Sequence, residues 1–125
     1  MKWNPNNESI LLSAGYDHKV NIIDVRDAAQ NIRIKVSKSV KDIESGSWHP
    51  SLEHNFALAT ESGIVLGYDV RKPEKPLWEL QSTDESCSGT AFSKHIPTMM
   101  STSGTDGVVR IWDIAGASPK EIGSR

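Results

Sequence analysis

The sequence predicts an all-β fold made of repeated antiparallel units, and two observations carry this prediction. Asp106-Gly107 stands between two β-branched runs, which is among the strongest local signals for a β-hairpin because both residue types tolerate a positive φ. Landmarks of this hairpin also recur upstream at steps of 44 and 45 residues. Repeats of about 40–45 residues with four short strands each are typical of arrays of small sheets.

Three independent landmarks keep the same step. They are an acidic strand end, an aromatic position and an aliphatic position, found respectively at Asp24, Asp69 and Asp113, at Trp3, Trp48 and Phe92, and at Val20, Val65 and Val109. Three landmarks that share one period are not expected by chance, so the chain is internally repetitive.

Alternating and β-branched runs, separated by Gly, Pro, Asn and Asp, predict the strands of each unit. In the first unit, near residues 1–37, the predicted strands are 2–3, 9–14, 19–24 and 32–35. In the second, near residues 41–81, they are 43–48, 55–60, 64–69 and 77–80. In the third, near residues 85–125, they are 87–92, 98–103 and 108–113, with an outer strand that would begin near Glu121, where the chain stops. The first and last units are therefore expected to be incomplete.

Residues 103–113, Ser-Gly-Thr-Asp-Gly-Val-Val-Arg-Ile-Trp-Asp, resemble the signature of the WD-repeat family almost residue for residue. The two upstream copies match less well, because their Trp positions hold Ile23 and Tyr68, and Ser62 replaces the turn Asp of the second. The resemblance covers nearly the whole chain and implies a partial WD-repeat β-propeller with about three four-stranded antiparallel blades. Propellers close with roughly 4–8 blades, so we expect that this chain alone does not close the ring. It is then a segment of a longer propeller or a truncated product.

The resemblance also implies structural residues, because family members link a loop His, a strand Ser or Thr, the turn Asp and the Trp by hydrogen bonds. In the third blade the candidates are Thr102 or Ser103, Asp106 and Trp112, and the position of the His falls near Thr83. The first blade offers Ser13 and Asp17, and the second has neither the turn Asp nor the Trp. The strand-end residues Asp24, Asp69 and Asp113 complete this set. Since buried polar groups need partners, we expect these residues to be structural.

An Asp-x-Arg box occurs twice, as Asp24-Val25-Arg26 and Asp69-Val70-Arg71. Some WD-repeat proteins with a Trp-Asp-x-Arg box dock onto adaptors of cullin-type ubiquitin ligases, which makes Arg26 and Arg71 candidate docking residues. The Trp is missing from both boxes. The alternative is a local ion pair at the surface, worth about 0–1 kcal/mol.

Composition points away from several other classes of protein. The chain has 125 residues and a formal net charge of −2, whereas nucleic-acid-binding domains are usually strongly basic. The lone Cys87 allows no internal disulfide and fits the cytosol or nucleus. No P-loop, dinucleotide fingerprint or nucleophile elbow occurs, and the four His residues lack the spacing of a metal site. We therefore expect no catalytic residue, metal or cofactor, and no membrane or small-molecule partner.

One basic run, formed by Arg33, Lys35, Lys38 and Lys41, has two interpretations. It suits sequence-independent contact with RNA phosphates. It also suits a charged outer strand that discourages edge-to-edge pairing, and the net acidic charge of the chain favours this second interpretation.

Residues 62–77 resemble the periodic tryptophan protein 1 family through a Gly-x-Val, an Asp-x-Arg and a Lys-Pro connector before a hydrophobic strand. This resemblance implies a nuclear or nucleolar scaffold in ribosome biogenesis, which binds other proteins of an assembly and, indirectly, pre-ribosomal RNA. A cytoplasmic substrate receptor for a ubiquitin ligase, based on Arg26 and Arg71, is the alternative. Arg26→Ala and Arg71→Ala variants distinguish the two.

Overall fold

The computed structural model describes residues 2–14, 19–26, 31–35, 43–52, 54–72, 75–83, 85–114 and 120–124. Within these ranges the chain forms three antiparallel sheets of four strands each, with neighbouring strands consecutive in the chain. No helix occurs in the described part. The predicted all-β fold with about three four-stranded sheets is therefore confirmed.

Each sheet is a simple meander. The first sheet contains β1 (Lys2–Asn4), β2 (Asn7–Ala14), β3 (Lys19–Asp24) and β4 (Ile32–Lys35). The second contains β5 (Ile43–Trp48), β6 (Asn55–Thr60), β7 (Ile64–Asp69) and β8 (Trp78–Gln81). The third contains β9 (Cys87–Phe92), β10 (Met99–Gly104), β11 (Val109–Asp113) and β12 (Lys120–Ser124). The bounds of β3, β4, β5, β6, β7 and β9 are those that the sequence predicts.

The third sheet has its fourth strand close to Glu121, where the sequence predicts an outer strand to begin. Its outer strand, β12, pairs with β11 through Arg110 opposite Ser124 and Asp113 opposite Lys120. The strand is only five residues long, and Ile122 is its single large apolar residue. Such a short strand shows little alternation of apolar and polar residues in the sequence. Its pairing with β11 stabilises it as a strand.

The second sheet is buried on both faces. Phe56 and Leu58 of β6 pack with the core of the first sheet, whereas Ala57 and Ala59, which alternate with them, pack with the third sheet. Strands buried on both sides carry nearly continuous apolar runs, and β6 follows this rule with the sequence Asn-Phe-Ala-Leu-Ala-Thr. The second sheet is therefore the middle layer of a three-layer stack.

Two glycines permit close approaches in the second sheet. A Cβ at Gly67 would overlap the indole of Trp78, which lies directly over this position from the neighbouring strand β8. Gly63 has a φ of +82°, and a Cβ there would overlap the carbonyl oxygens of Thr83 and Glu85. The turn between β6 and β7 can therefore lie against the segment that enters the third sheet.

Candidate functional site

The hydrogen-bonded network of the third sheet begins at Trp112, which is buried near the end of β11. Its indole Nε1 donates to Thr102 Oγ1 at 3.0 Å. Thr102 Oγ1 also lies 2.6 Å from Ser82 Oγ, and both hydroxyl-bearing residues are buried. Ser103, the next residue along β10, lies on the other face, where its Oγ is 3.5 Å from Ser88 Oγ. Of the two residues that the sequence leaves open, Thr102 is the one bonded to the tryptophan.

Asp106 forms a second group of contacts at the turn before β11. It accepts from the backbone N–H of Val108 at 3.0 Å and from Thr83 Oγ1 at 2.9 Å. Arg110 Nη1 lies 3.0 Å from the same carboxylate. The Val108 bond first, and then the Thr83 and Arg110 contacts, hold the pKa of Asp106 below its usual value. The carboxylate therefore stays charged and closes the hairpin.

Two adjacent hydroxyls, those of Ser82 and Thr83, lie near the position predicted for a loop His. Ser82 contacts Thr102 and Thr83 contacts Asp106, so together they join the strand residue and the turn residue to one loop. An imidazole can make two such bonds through its two nitrogens. Sequence reasoning found Thr83 by position but missed Ser82, because a serine in a polar loop carries no pattern of its own.

The corresponding positions of the other two sheets differ. Asp17 lies outside the described residues, and Ser13 is half-buried on β2. In the second sheet, Thr60 Oγ1 donates to the Ile64 carbonyl at 2.7 Å and lies 2.9 Å from Ser62 Oγ. This turn is therefore closed by hydroxyls instead of a carboxylate.

The two Asp-x-Arg boxes close strand ends. Asp24 and Asp69 each accept a hydrogen bond from the backbone N–H two residues later, at 2.9 Å in both cases. Asp69 is buried and also receives Arg71 Nε at 3.1 Å and Nη2 at 2.8 Å. These side-chain bonds are the largest cause that lowers the pKa of Asp69. Asp113 lies half-buried at the equivalent end of β11.

His49 is one of the four histidines of the chain, and it is buried between two loops. Its ring is 1% exposed, and Nδ1 accepts from the backbone N–H groups of Ser51 at 3.1 Å and Leu52 at 2.9 Å. Because Nδ1 is the acceptor, Nε2 carries the proton and donates to the Pro97 carbonyl at 2.8 Å. His49 thus joins a loop of the second sheet to a loop of the third.

The same position caps a loop in all three units. Asn4 Oδ1 accepts from the N–H of Asn6 at 2.8 Å, and Ser93 Oγ accepts from the N–H groups of His95 and Ile96 at 3.2 and 3.1 Å. Asn4, His49 and Ser93 are separated by the repeat step of 45 and 44 residues. The signal was present in the sequence as a polar residue directly after Trp3, Trp48 and Phe92.

A cleft of about 370 Å³ opens beside His49, between the second and third sheets. Its walls are mainly aromatic and aliphatic, and they include Phe56, Tyr68, Leu77, Trp78, Phe92, Pro97 and Ile114. Burial and the charge of Glu79 raise the pKa of Tyr68, so its phenol stays protonated. A concave, apolar surface with a few polar groups is the usual form of a binding site.

Other site types have no counterpart in the described ranges. No three His, Cys, Asp or Glu side chains there form a group able to hold a metal ion. The same part of the chain has no helix that is both long and apolar enough to cross a bilayer. In the basic run, Arg33 Nε donates to Asn21 Oδ1 at 3.3 Å, and Lys38 and Lys41 lie outside the described residues.

Comparison with known proteins finds relatives that contain WD repeats. No family model matches the chain. An uncharacterised WD repeat-containing protein of Schizosaccharomyces pombe is 36% identical over 84 residues, which is 67% of this chain and 16% of the relative. Periodic tryptophan protein 1 of Saccharomyces cerevisiae is 34% identical over 116 residues, 89% of this chain and 20% of the relative. The chain is homologous to these WD-repeat proteins over most of its length.

A third relative, the periodic tryptophan protein 1 homolog of Drosophila melanogaster, is 26% identical over 126 residues, which is 98% of this chain and 27% of the relative. The chain therefore spans between about a sixth and a quarter of the length of these WD-repeat relatives. Its three sheets correspond to WD-repeat blades. The third blade matches the repeat signature most fully, and it is stabilised by the hydrogen bonds among Ser82, Thr102 and Trp112.

Proposed function

We propose that this chain is a non-enzymatic WD-repeat scaffold that binds other proteins during ribosome assembly in the nucleolus. The observation that carries the proposal is its 34% identity to periodic tryptophan protein 1 of yeast over 89% of the chain. The specific role follows from the resemblance of residues 62–77 to that family. The partners are other proteins of a multiprotein assembly, with pre-ribosomal RNA contacted indirectly.

The architecture supports a scaffold in physical terms. Three sheets packed on one another form a stiff body, and the loops that connect the strands present side chains at its ends. At one end, the cleft between the second and third blades offers an apolar surface of a size that suits side chains of a partner. Ordered polar contacts, such as those of His49 with the Pro97 carbonyl and of Asp69 with the backbone N–H of residue 71, fix the loops around it, which reduces the entropy lost on binding.

Affinity purification of a tagged chain from nuclear extract tests this proposal. We expect ribosomal proteins and assembly factors to be enriched over a tag-only control, and to remain after nuclease treatment because the contacts are between proteins. Leu77→Glu, which places a charge at the half-exposed rim of the cleft, should reduce their recovery. Absence of assembly factors from the purified material would contradict the ribosomal role.

The Arg26→Ala, Arg71→Ala double variant separates the two candidate functions. In this variant Asp69 loses two side-chain bonds but keeps the bond from the backbone N–H of residue 71. The strand end should therefore stay closed, and binding of assembly factors should be unchanged. Loss of a cullin adaptor from the purified material, with the double variant still folded, would support the ligase receptor instead.

A further inference from the structure

The rim of the cleft beside His49 carries large apolar side chains that remain exposed. Leu52 is 48% exposed and Leu77 is 42% exposed, and they line the cleft from separate loops of the second blade. The backbone N–H of Leu52 donates to Nδ1 of the buried His49 at 2.9 Å, so its loop is held in place while the leucine side chain stays half exposed. Exposed apolar side chains grouped at a concave surface are typical of an interaction site.

Tyr68 brings an unused hydroxyl to this cleft. The residue is 3% exposed, lines the cleft and stacks on Phe56 with ring centroids 5.7 Å apart. Across the ranges that the structure describes, no hydrogen bond involves the Tyr68 hydroxyl, and its oxygen is not sealed from solvent. Buried tyrosine hydroxyls usually have a hydrogen-bond partner. We therefore expect the molecule that occupies the cleft to supply it.

Two further polar groups at the cleft have no hydrogen-bond partner among the described residues. They are the indole N–H of the half-buried Trp78 and the side-chain amide of Asn55. The backbone of Asn55 is already bonded, since its N–H donates to the Leu52 carbonyl at 3.0 Å and its carbonyl accepts from the His49 N–H at 2.8 Å. An indole N–H is a donor only, and a phenol and an amide can each donate. The cleft thus suits a ligand that has hydrogen-bond acceptors as well as apolar surface.

The charge beside these donors distinguishes between kinds of acceptor. Burial, and then the negative charge of Glu79 on β8, raises the pKa of Tyr68, which shows that the field of Glu79 reaches the phenol. A carboxylate or phosphate bound at Tyr68 would be repelled by Glu79, whereas the carbonyl of a peptide bond carries no net charge. An extended peptide displays such carbonyls along its length, with side chains projecting between them.

We propose that the cleft binds an extended internal segment of a partner protein, which inserts one aliphatic or aromatic side chain and offers a main-chain carbonyl to the Tyr68 hydroxyl. The Trp78 N–H and the Asn55 amide then bond to neighbouring main-chain groups of the same segment. In this mode of recognition, main-chain hydrogen bonds give affinity and the side-chain pocket gives specificity. The volume of about 370 Å³ lies at the small end of the range of roughly 300–1,000 Å³ for ligand pockets, which suits a single side chain with its main chain. The inference rests on the proposed role as a protein-binding scaffold and names the chemistry of the bound segment.

An array of short peptides tests the nature of the occupant. Each peptide is acetylated and amidated, so that its ends carry no charge, and has Leu, Phe, Ser or Asp at its centre between mixtures of uncharged residues. We expect the labelled 125-residue chain to be retained by the Leu and Phe sets and not by the Ser and Asp sets. The proposal would be overturned if no set retained the chain, if the Asp set were preferred, or if binding required a free C-terminal carboxylate.

Tyr68→Phe tests the hydroxyl, because it keeps the ring that stacks on Phe56. For a retained peptide, the affinity measured by fluorescence anisotropy should fall by roughly three- to tenfold, as expected for the loss of one hydrogen bond. The urea midpoint should be unchanged, since this hydroxyl has no partner to lose within the described part of the chain. A lower midpoint with unchanged affinity would show that the hydroxyl has a structural role and would overturn its assignment.

Glu79→Gln and Glu61→Gln form a matched pair of variants that test the charge. Both glutamates are exposed, but Glu61 lies in the turn between β6 and β7, at the other end of the second blade. Glu79→Gln should improve binding of the Asp peptides by about threefold, because the repulsion is removed, and Glu61→Gln should leave all sets unchanged. Equal effects of the two substitutions would overturn the preference for an uncharged acceptor.

The inference and the ribosomal role can fail separately. If the array retains nothing while the tagged chain still enriches assembly factors, the cleft inference is wrong and the proposed function stands. If the Leu and Phe peptides bind and Tyr68→Phe weakens them, but no assembly factor is purified, the ribosomal role is wrong and the cleft inference stands.

Discussion

Replacement of Thr102 by Val tests the hydroxyl that joins the third blade to its preceding loop. Thr102 Oγ1 accepts from Trp112 Nε1 at 3.0 Å and lies 2.6 Å from Ser82 Oγ. Valine keeps the β-branched shape, so the substitution removes the hydroxyl while leaving little change in volume. Both partners are buried, and water therefore has little access to replace the lost bonds.

The expected loss of stability follows from these two contacts. A buried donor left without an acceptor costs about 1–3 kcal/mol, and loss of a neutral hydrogen bond at Ser82 adds about 1 kcal/mol. The free energy of unfolding should therefore fall by about 2–4 kcal/mol, which is a large part of the roughly 5–15 kcal/mol typical of a domain. With a urea dependence of about 2 kcal/mol per molar, the midpoint should fall by about 1–2 M.

Urea unfolding followed by tryptophan fluorescence and circular dichroism measures this change. All variants are compared at one protein concentration. Thr102→Ser, which keeps the hydroxyl, should lose less than half as much stability as Thr102→Val. Ser103→Ala, on the opposite face of β10, should change the unfolding free energy by about 0.5 kcal/mol or less. Equal midpoints for Thr102→Val and Ser103→Ala would refute the assigned network.

Three further predictions concern the second blade. The pKa of Asp69 is lowered below its ordinary value of 3.8, so its ionised carboxylate stabilises the fold above pH 3.8. This stabilisation is lost as the pH falls through the lowered pKa, and an acid titration of Asp69→Asn should lack that loss. His49→Ala leaves two backbone N–H groups and a carbonyl without partners and should cost at least about 2 kcal/mol in urea unfolding, whereas exposed His95→Ala should cost almost nothing. Gly67→Ala forces the indole of Trp78 away and should cost about 1–3 kcal/mol, with a changed near-ultraviolet dichroism spectrum; an unchanged spectrum would contradict this packing.

The sequence predicted the strand bounds best where both faces of a blade are buried. The bounds of β6 and β7 agree with the prediction because their apolar runs end at clear turn residues, Ser62-Gly63 on one side and the strand-end Asp69 on the other. The outer strand β12 was harder to predict, because one side of an outer strand is exposed and many residue types are tolerated there. Pairing with β11 forms this strand even though its own pattern is weak.

The candidate site was only partly accessible to such reasoning. Asp106 and Trp112 stand in a recognisable motif, and their positions in the hairpin follow from local geometry. The choice of Thr102 over Ser103 depends on which side of β10 faces the second blade, and a shift by one residue reverses this. Ser82 and His49 act across gaps between separate segments, with Thr102 twenty residues from Ser82 and Pro97 forty-eight residues from His49. Such long-range contacts leave no short-range pattern.

The sequence by itself determined the all-β class, the repeat step and the place of most strands, because turn chemistry and apolar alternation are local properties of the chain. Only the tertiary structure decided which side chains of each blade pack against which neighbouring blade. It also showed that His49 donates to a loop of the next blade and that Trp3 and Ile111 are exposed. These features depend on how the blades stack, and stacking is governed by contacts between residues about one repeat apart, which local propensities do not encode.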